Sequence, residues 1–338
     1  MPQRLAVVIP VFNEAETLPE LYRRLRAVLD RLLPMESTVI YVNDGSRDTS
    51  LSIMLAQRDE DPRFTVLDLS RNFGHQASLT AGLAAAEGCD AVVMMDGDLQ
   101  DPPELIVELV ASWLAGAEVV QAVRDGRDES GLRRFGFWAF YILLDWITDF
   151  PLPARTGIFG LLNSQALHEL NKLSENNRFL PGLRAWIGFE QRTIHYQRPE
   201  RAMGQPKQNL WRLFRYAVDG FVSFSYKPLR LMISIGCFIS CCGFILAMAF
   251  VIRRLLGFEI AQIGFTTLVT LVLFLGGVQL VAIGLLGEYL GRVYDEVKQR
   301  PLYIVRRRYR NSAIGRTLIE SDQGSLKKPP FDSATETR

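Results

Sequence analysis

Ala91-Val92-Val93-Met94-Met95-Asp96-Gly97-Asp98-Leu99-Gln100-Asp101-Pro102-Pro103-Glu104-Leu105 is the stretch that decides the fold. Five apolar residues in a row, with two valines among them, describe a strand buried on both faces. The run stops at Asp96. Prolines are tolerated in the first turn of a helix, so a helix is expected from about Pro102. Strand, acidic turn and helix form one unit, and the same unit recurs on the N-terminal side. Short apolar runs at 5–12, 38–42, 64–69 and 118–123 also read as buried strands. Between the first two, Leu18, Leu21, Leu25, Val28, Leu29 and Leu32 fall at helical spacing within 15–33. Alternating strands and helices predict an α/β fold with a mostly parallel, doubly wound sheet. Ligands of such sheets bind beyond the carboxyl ends of the strands.

Chemistry is therefore sought at those ends. Asp96 and Asp98, one residue apart after a buried strand, can hold a hard divalent cation together with diphosphate oxygens. Such an ion would neutralise charge on a departing nucleoside diphosphate. Surface acidic pairs are common, so the pair alone is weak; its position and its continuation to Leu105 strengthen it. The other strand ends read Pro10-Val11-Phe12-Asn13-Glu14, Asn43-Asp44-Gly45-Ser46 and Ser70-Arg71-Asn72-Phe73-Gly74. These residues favour turns for reasons of their own, but four polar ends in succession predict one shared pocket.

With 338 residues, the chain has room for a large domain and more. Hydrophobic residues make up 48% beside 22% charged, which points to a soluble part and a membrane part. A net charge of +1 gives nucleic-acid binding little support. Cys89, Cys237, Cys241 and Cys242 have no metal-ligand or paired spacing, so neither zinc nor a disulfide framework is expected. His75, His168 and His195 are scattered and read as structural, with His75 bordering the pocket. The N-terminus lacks a signal-peptide pattern and is expected to stay in the cytoplasm.

The expected organisation is a catalytic domain over 1–207, amphipathic interfacial helices over 208–230 and membrane helices over 231–252 and 264–287. A basic juxtamembrane segment over 288–310 and a disordered tail over 311–338 follow. Both spans are long enough for a ~30 Å hydrocarbon core. The 135–147 run is too short to cross and is interrupted by Asp145. Lys and Arg flank the pair on both outer sides, including Arg212, Arg215, Arg292 and Lys298. The positive-inside rule therefore puts both termini in the cytoplasm of a multi-pass inner-membrane protein. Trp211 and Tyr226 fit an aromatic belt. Gly276, Gly277, Gly284 and Gly287 permit close helix approach and hence a homo-oligomer.

The segments PVFNE (10–14), NDGS (43–46), SRNFG (70–74) and DGDLQDPPEL (96–105) closely resemble those of polyprenyl-phosphate glycosyltransferases of glycosyltransferase family 2. RAMGQPK (201–207) and GLLGEYLGRVYDEVKQRP (284–301) extend the resemblance over about 5–305. It implies a GT-A (Rossmann-like) fold and inverting transfer of one sugar from a nucleotide-sugar donor, a UDP-sugar or similar. The acceptor would be undecaprenyl or dolichyl phosphate, and the cofactor Mg2+ or Mn2+. By position, Pro10, Phe12, Glu14 and Asp44 would line the nucleoside pocket, bordered by Arg71, Asn72 and Gly74. Asp96 and Asp98 would hold the metal diphosphate, with Gln100 near the sugar. Arg124, Arg127, Arg201 and Lys207 are candidates for the acceptor phosphate, a dianion that needs cationic partners.

One departure matters. Many relatives carry Gly-Asp-Phe or Gly-Asp-Tyr where this chain has Gly157-Ile158-Phe159. A required general base at 158 would make the chain a binding or scaffold protein. However, a phosphate monoester with a second pKa of ~6 is already ionised at pH 7 and can attack without losing a proton. Activity is thus expected, with an altered site around Ile158. A processive synthase is disfavoured by having only two spans and by Arg184-Ala185-Trp186 as a poor match to its motif.

Overall fold

The computed structural model describes residues 2–124, 156–176, 178–196, 227–256 and 264–310. The expected interfacial helices up to 226, Arg127, Arg201, Lys207, Trp211, Tyr226 and the tail lie outside them.

The elements are β1 (Arg4–Val11), α1 (Leu18–Arg31), β2 (Glu36–Asn43), α2 (Ser50–Glu60), β3 (Phe64–Leu69), α3 (His75–Ala85) and β4 (Ala91–Met94). A 3-10 turn at Pro103–Leu105 opens α4 (Ile106–Leu114), and β5 (Val119–Arg124) follows. Then come β6 (Thr156–Asn163), α5 (Ser164–Lys172), α6 (Leu180–Trp186) and β7 (Gln191–Tyr196). The chain continues through α7 (Lys227–Leu255) and α8 (Phe265–Val297) to β8 (Val305–Tyr309).

The eight strands form one sheet in the order β7-β5-β6-β4-β1-β2-β3-β8. β4, β1, β2 and β3 run parallel side by side, as the apolar runs predict. β6 runs antiparallel to both neighbours, and β8 runs antiparallel to β3. Alternate residues of β1 serve two cores. Leu5, Val7, Ile9 and Val11 pack with Leu18, Leu21 and Leu25 of α1, Met54 of α2 and Leu109 of α4. Ala6 and Val8 pack with Leu79 and Leu83 of α3, Leu167 of α5 and Leu183 of α6. Burying each large aliphatic side chain contributes about 1.5–3 kcal/mol, so the two-sided central strands anchor the fold.

Three strands went unread in the sequence. β6 carries apolar residues to both cores, but β7 is half-exposed and polar, and Arg306, Arg307 and Arg308 of β8 are exposed. The sheet takes its last strand from 305–309, so the α/β layer is not confined to 1–207. Within 288–310, expected as a basic juxtamembrane segment, the chain forms the end of α8 and then this strand.

The expected span 231–252 lies within α7, and the expected span 264–287 falls on α8 apart from Gly264, its N-cap; both helices run past the apolar runs. α8 continues beyond 287 through a polar turn in which Arg292 pairs with Glu288 at 3.0 Å, an i,i+4 contact. By length and composition, one segment among the described residues, Phe274–Val297, is long and apolar enough to cross a membrane. A shorter apolar stretch, Met232–Ile245, lies on α7.

Candidate active site

The carboxyl ends of β1, β2 and β4 open on a cavity of about 320 Å³. Of the donor candidates, Pro10, Phe12, Glu14, Asp44, Asn72 and Gly74 line it. Asp96, Gly97 and Asp98 face them with His75 and Ser78 from α3. Arg71 is not among the lining residues: its guanidinium lies 4.2 Å from the Phe73 ring centroid and donates to the Asn72 carbonyl at 3.1 Å. Gln100 is buried and does not line the cavity.

Backbone geometry and side chains stitch the strand ends together. Asn13, at φ 56°, donates its N–H to Ser46 Oγ at 3.1 Å and accepts from the Arg47 N–H at 2.8 Å. This joins the turns after β1 and β2. The buried Asp44 carboxylate accepts the N–H groups of Phe73 at 2.7 Å and Gly74 at 3.0 Å, fixing the turn after β3. Asn43 Nδ2 donates to Asp68 Oδ1 at 2.7 Å, joining β2 to β3 beneath the turns.

The acidic turn is held differently. Asp98 Oδ1 accepts the Gln100 N–H at 3.1 Å, closing a tight turn around Leu99. Leu99 sits at φ 58°, an unusual value for a bulky residue. The surrounding structure must hold this strain of about 1–3 kcal/mol. Asp101, only 1% exposed, anchors the turn from below. It accepts from Tyr196 Oη at 2.5 Å and from Arg124 Nη2 at 3.2 Å, and Arg124 Nε donates to Tyr196 Oη at 3.0 Å. Burial pulls the Arg124 pKa down, but the Asp101 charge and the Tyr196 hydrogen bond outweigh it and raise it. Burial, reinforced by Asp101, pushes the Tyr196 phenol up to about 12. Arg124, read from the sequence as an acceptor-phosphate candidate, thus has its guanidinium in this anchor.

His75, read as a structural histidine at the pocket's border, is a wall of it. Its Nε2 lies 2.8 Å from Asp96 Oδ1. The direction of that bond depends on the tautomer. The signal in the sequence was its place at the start of α3, directly after the 70–74 turn.

Ile158 does not line the cavity; it packs against the core on the α3 side of the sheet. Beside it lies Arg184, 1% exposed, which donates to the Gly157 carbonyl at 2.9 Å and the Ile158 carbonyl at 3.3 Å. Its Nε has no partner among the described residues. Burial lowers its pKa to about 10.

Asp96 and Asp98, on one wall of the cavity, are a donor set that would fit a divalent cation. Among the described residues no third His, Cys, Asp or Glu completes a cluster. A full protein cage is therefore not offered by these residues, and the two carboxylates suit a hard cation that keeps water and takes its other ligands from a substrate's phosphates.

A mostly parallel core with an acidic pair at its carboxyl edge is a GT-A-like α/β arrangement. Residues 6–170 match glycosyl transferase family 2, and residues 227–293 match the GtrB C-terminal hairpin. The chain is 41% identical to the uncharacterized glycosyltransferase YkcC of Bacillus subtilis, over 90% of this chain and 94% of that one. It is 40% identical to the SfII prophage-derived bactoprenol glucosyl transferase of Shigella flexneri, over 91% and 99%. Among solved structures, glucosyl-3-phosphoglycerate synthase from Mycobacterium tuberculosis is similar at 19% identity and a TM-score of 0.46, covering 65% of this chain and 78% of that one. The chain belongs to glycosyltransferase family 2, and its activity is glycosyl transfer.

Proposed function

We propose that the chain transfers one sugar from a UDP-sugar to a polyprenyl phosphate at the cytoplasmic face of a membrane, with inversion and with Mg2+ or Mn2+. The observation that carries this reading is the 320 Å³ cavity, with Asp96 and Asp98 on one wall and the Asp44-held turn on the other. Kinship with bactoprenol glucosyl transferases over nine-tenths of the chain supports the acceptor class.

In this reading Pro10, Phe12, Glu14 and Asp44 hold the nucleoside, with Asn72 and Gly74 at its edge and Arg71 outside. Asp96 and Asp98 hold the cation, with His75 orienting Asp96, and Gln100 supports the sugar subsite from beneath the turn. The bound cation supplies charge neutralisation for the departing diphosphate. The acceptor phosphate, ionised at neutral pH, attacks the anomeric carbon from the face opposite the leaving group; the C–O bond to the nucleotide breaks and no side chain need take a proton. Arg127, Arg201 and Lys207 receive the acceptor phosphate, while Arg124 positions the acidic turn. α7 and α8 both enter the membrane, with both termini cytoplasmic. Among the described residues, nothing outside their own helix lies within 4 Å of where a Cβ would sit on Gly276, Gly277, Gly284 or Gly287, which leaves room for a second copy of the chain.

The test is transfer of radiolabelled sugar to undecaprenyl phosphate in detergent across a panel of nucleotide sugars. Labelled lipid is expected with a UDP-sugar, falling to background in EDTA and returning with Mg2+ or Mn2+. Label that persists undiminished in EDTA would remove the metal from the reading, and labelling of no lipid phosphate by any donor would remove the acceptor.

Ile158→Asp gives a separate prediction. Because the side chain packs in the core and no base is required, kcat is expected not to rise. General bases contribute ~10²–10⁴-fold, so a gain of about 100-fold would show that the missing carboxylate mattered.

A further inference from the structure

Ser70 stands where β3 ends and the 70–74 wall of the cavity begins, and the far end of the chain holds both of its backbone polar groups. Its N–H donates to the Ile304 carbonyl at 2.9 Å, and Arg306 Nη2 donates to its carbonyl at 2.5 Å. β8 lies antiparallel along β3, with Val66 opposite Tyr309 and Asp68 opposite Arg307, and the register shifts between Asp68 and Leu69. Tyr303 and Val305 pack against the core on the α3 side. At its other end the 70–74 segment is held by Asp44 through Phe73 and Gly74. The wall is therefore clamped twice, once from within the parallel core and once from the segment that follows α8.

A second tie holds the end of α8 itself. The Asn176 N–H donates to Glu296 Oε1 at 2.7 Å, and its Nδ2 donates to Glu296 Oε2 at 3.0 Å and the Asp295 carbonyl at 3.1 Å. With that end docked, only seven residues, 298–304, separate α8 from β8. The end of α8 thus brings β8 to the sheet edge. The three arginines of β8 are exposed and only Val305 and Tyr309 at its ends are half-buried, so ladder hydrogen bonds to β3 hold its middle. Edge elements of this kind open at low free-energy cost.

We infer that β8 is a working part of the donor site: by holding Ser70 it sets the 70–74 wall, so that donor affinity depends on the strand that follows α8. This rests on the donor reading of the cavity given above. Ser70, Ile304 and Arg306 are positioning residues, acting through Asn72 and Gly74.

The experiment measures UDP binding with Mg2+ by calorimetry, and donor KM and kcat, on the chain in lipid nanodiscs. Five proteins are compared: the full chain, a truncation lacking 311–338, a truncation lacking 302–338, Arg306→Ala and Arg306→Lys. The shorter truncation is expected to bind like the full chain. Loss of β8 is expected to weaken UDP roughly tenfold, the scale of two hydrogen bonds, and Arg306→Ala by a smaller factor in the same direction. KM should rise while kcat at saturating donor is retained, and Arg306→Lys should recover part of the loss. A merely structural role would lower the folded fraction and leave the Kd of the folded molecules unchanged. Unchanged Kd in the 302–338 truncation and in Arg306→Ala overturns the inference; if the truncation does not fold, Arg306→Ala decides. A full chain that binds no UDP fails the donor reading instead, so the two failures are distinct.

Discussion

Asp98→Asn is expected to lower kcat for sugar transfer by about 10²–10³-fold, the scale of removing one preorganised electrostatic contact from a transition state. The substitution is chosen because Asp98 has two tasks. Its Oδ1 accepts the Gln100 N–H at 3.1 Å and so shapes the turn that carries Leu99 at φ 58°. Its charge would help hold the cation against the diphosphate. Asparagine keeps an acceptor at Oδ1 and loses the charge, so the turn should survive while the chemistry does not. Stability should change by no more than about 0.5 kcal/mol, because the acceptor that holds the turn is kept. Asp98→Ala removes both functions and should cost stability as well. Retention of a tenth or more of wild-type kcat by Asp98→Asn, with the turn intact, would show that the second carboxylate of the pair is not used in catalysis.

Gly45→Ala should have the largest structural effect of any single methyl at the site. Gly45 has φ +67°, and a Cβ there would lie 2.6 Å from the Arg71 carbonyl carbon and 2.7 Å from the Asn72 nitrogen. A left-handed conformation costs a residue with a Cβ about 1–2 kcal/mol, and overpacking adds about 1–3 kcal/mol. The sum is roughly 2–5 kcal/mol, because the atoms to be displaced are backbone and the Asp44 bonds to Phe73 and Gly74 resist the move. Gly74→Ala separates the two contributions. Gly74 also has positive φ, +94°, but a Cβ there meets nothing within 4 Å. It should show strain alone, without displacement of the wall. Differential scanning calorimetry together with donor KM would test this. Gly45→Ala should lower Tm and raise KM more than Gly74→Ala, and equal effects of the two would mean that the close approach to Arg71 and Asn72 relaxes freely.

What could be read in the chain follows from how each part is stabilised. β1 to β4 were legible because two-sided burial demands unbroken apolar runs, and Ala91–Met94 flanked by Asp96 and Asp98 is a clear instance. The turns that line the cavity were legible because strand ends gather at one edge once the order is parallel. Arg124 shows the limit. As a cation near the site it suggested an acceptor phosphate, and its engagement with Asp101 and Tyr196 depends on residues 23 and 72 positions away. His75 likewise gave no sign of facing Asp96, because that contact needs α3 laid across the sheet.

The sequence by itself determined the α/β class, the parallel core, the acidic pair at the carboxyl edge and the presence of apolar helices after the catalytic part. Each of these rests on a local pattern: hydrophobic runs, turn residues and length. Only the tertiary structure decided that Gln191–Tyr196 and Val305–Tyr309 are strands, because edge strands draw their hydrogen bonds from a neighbour and need no apolar run of their own. It also decided that Ile158 serves the core, that Arg184 is a buried cation held by two carbonyls, and that Ser70 is gripped by residues more than 230 positions away. Those pairings arise from the closure of long loops, and no local pattern in the chain encodes which ends will meet.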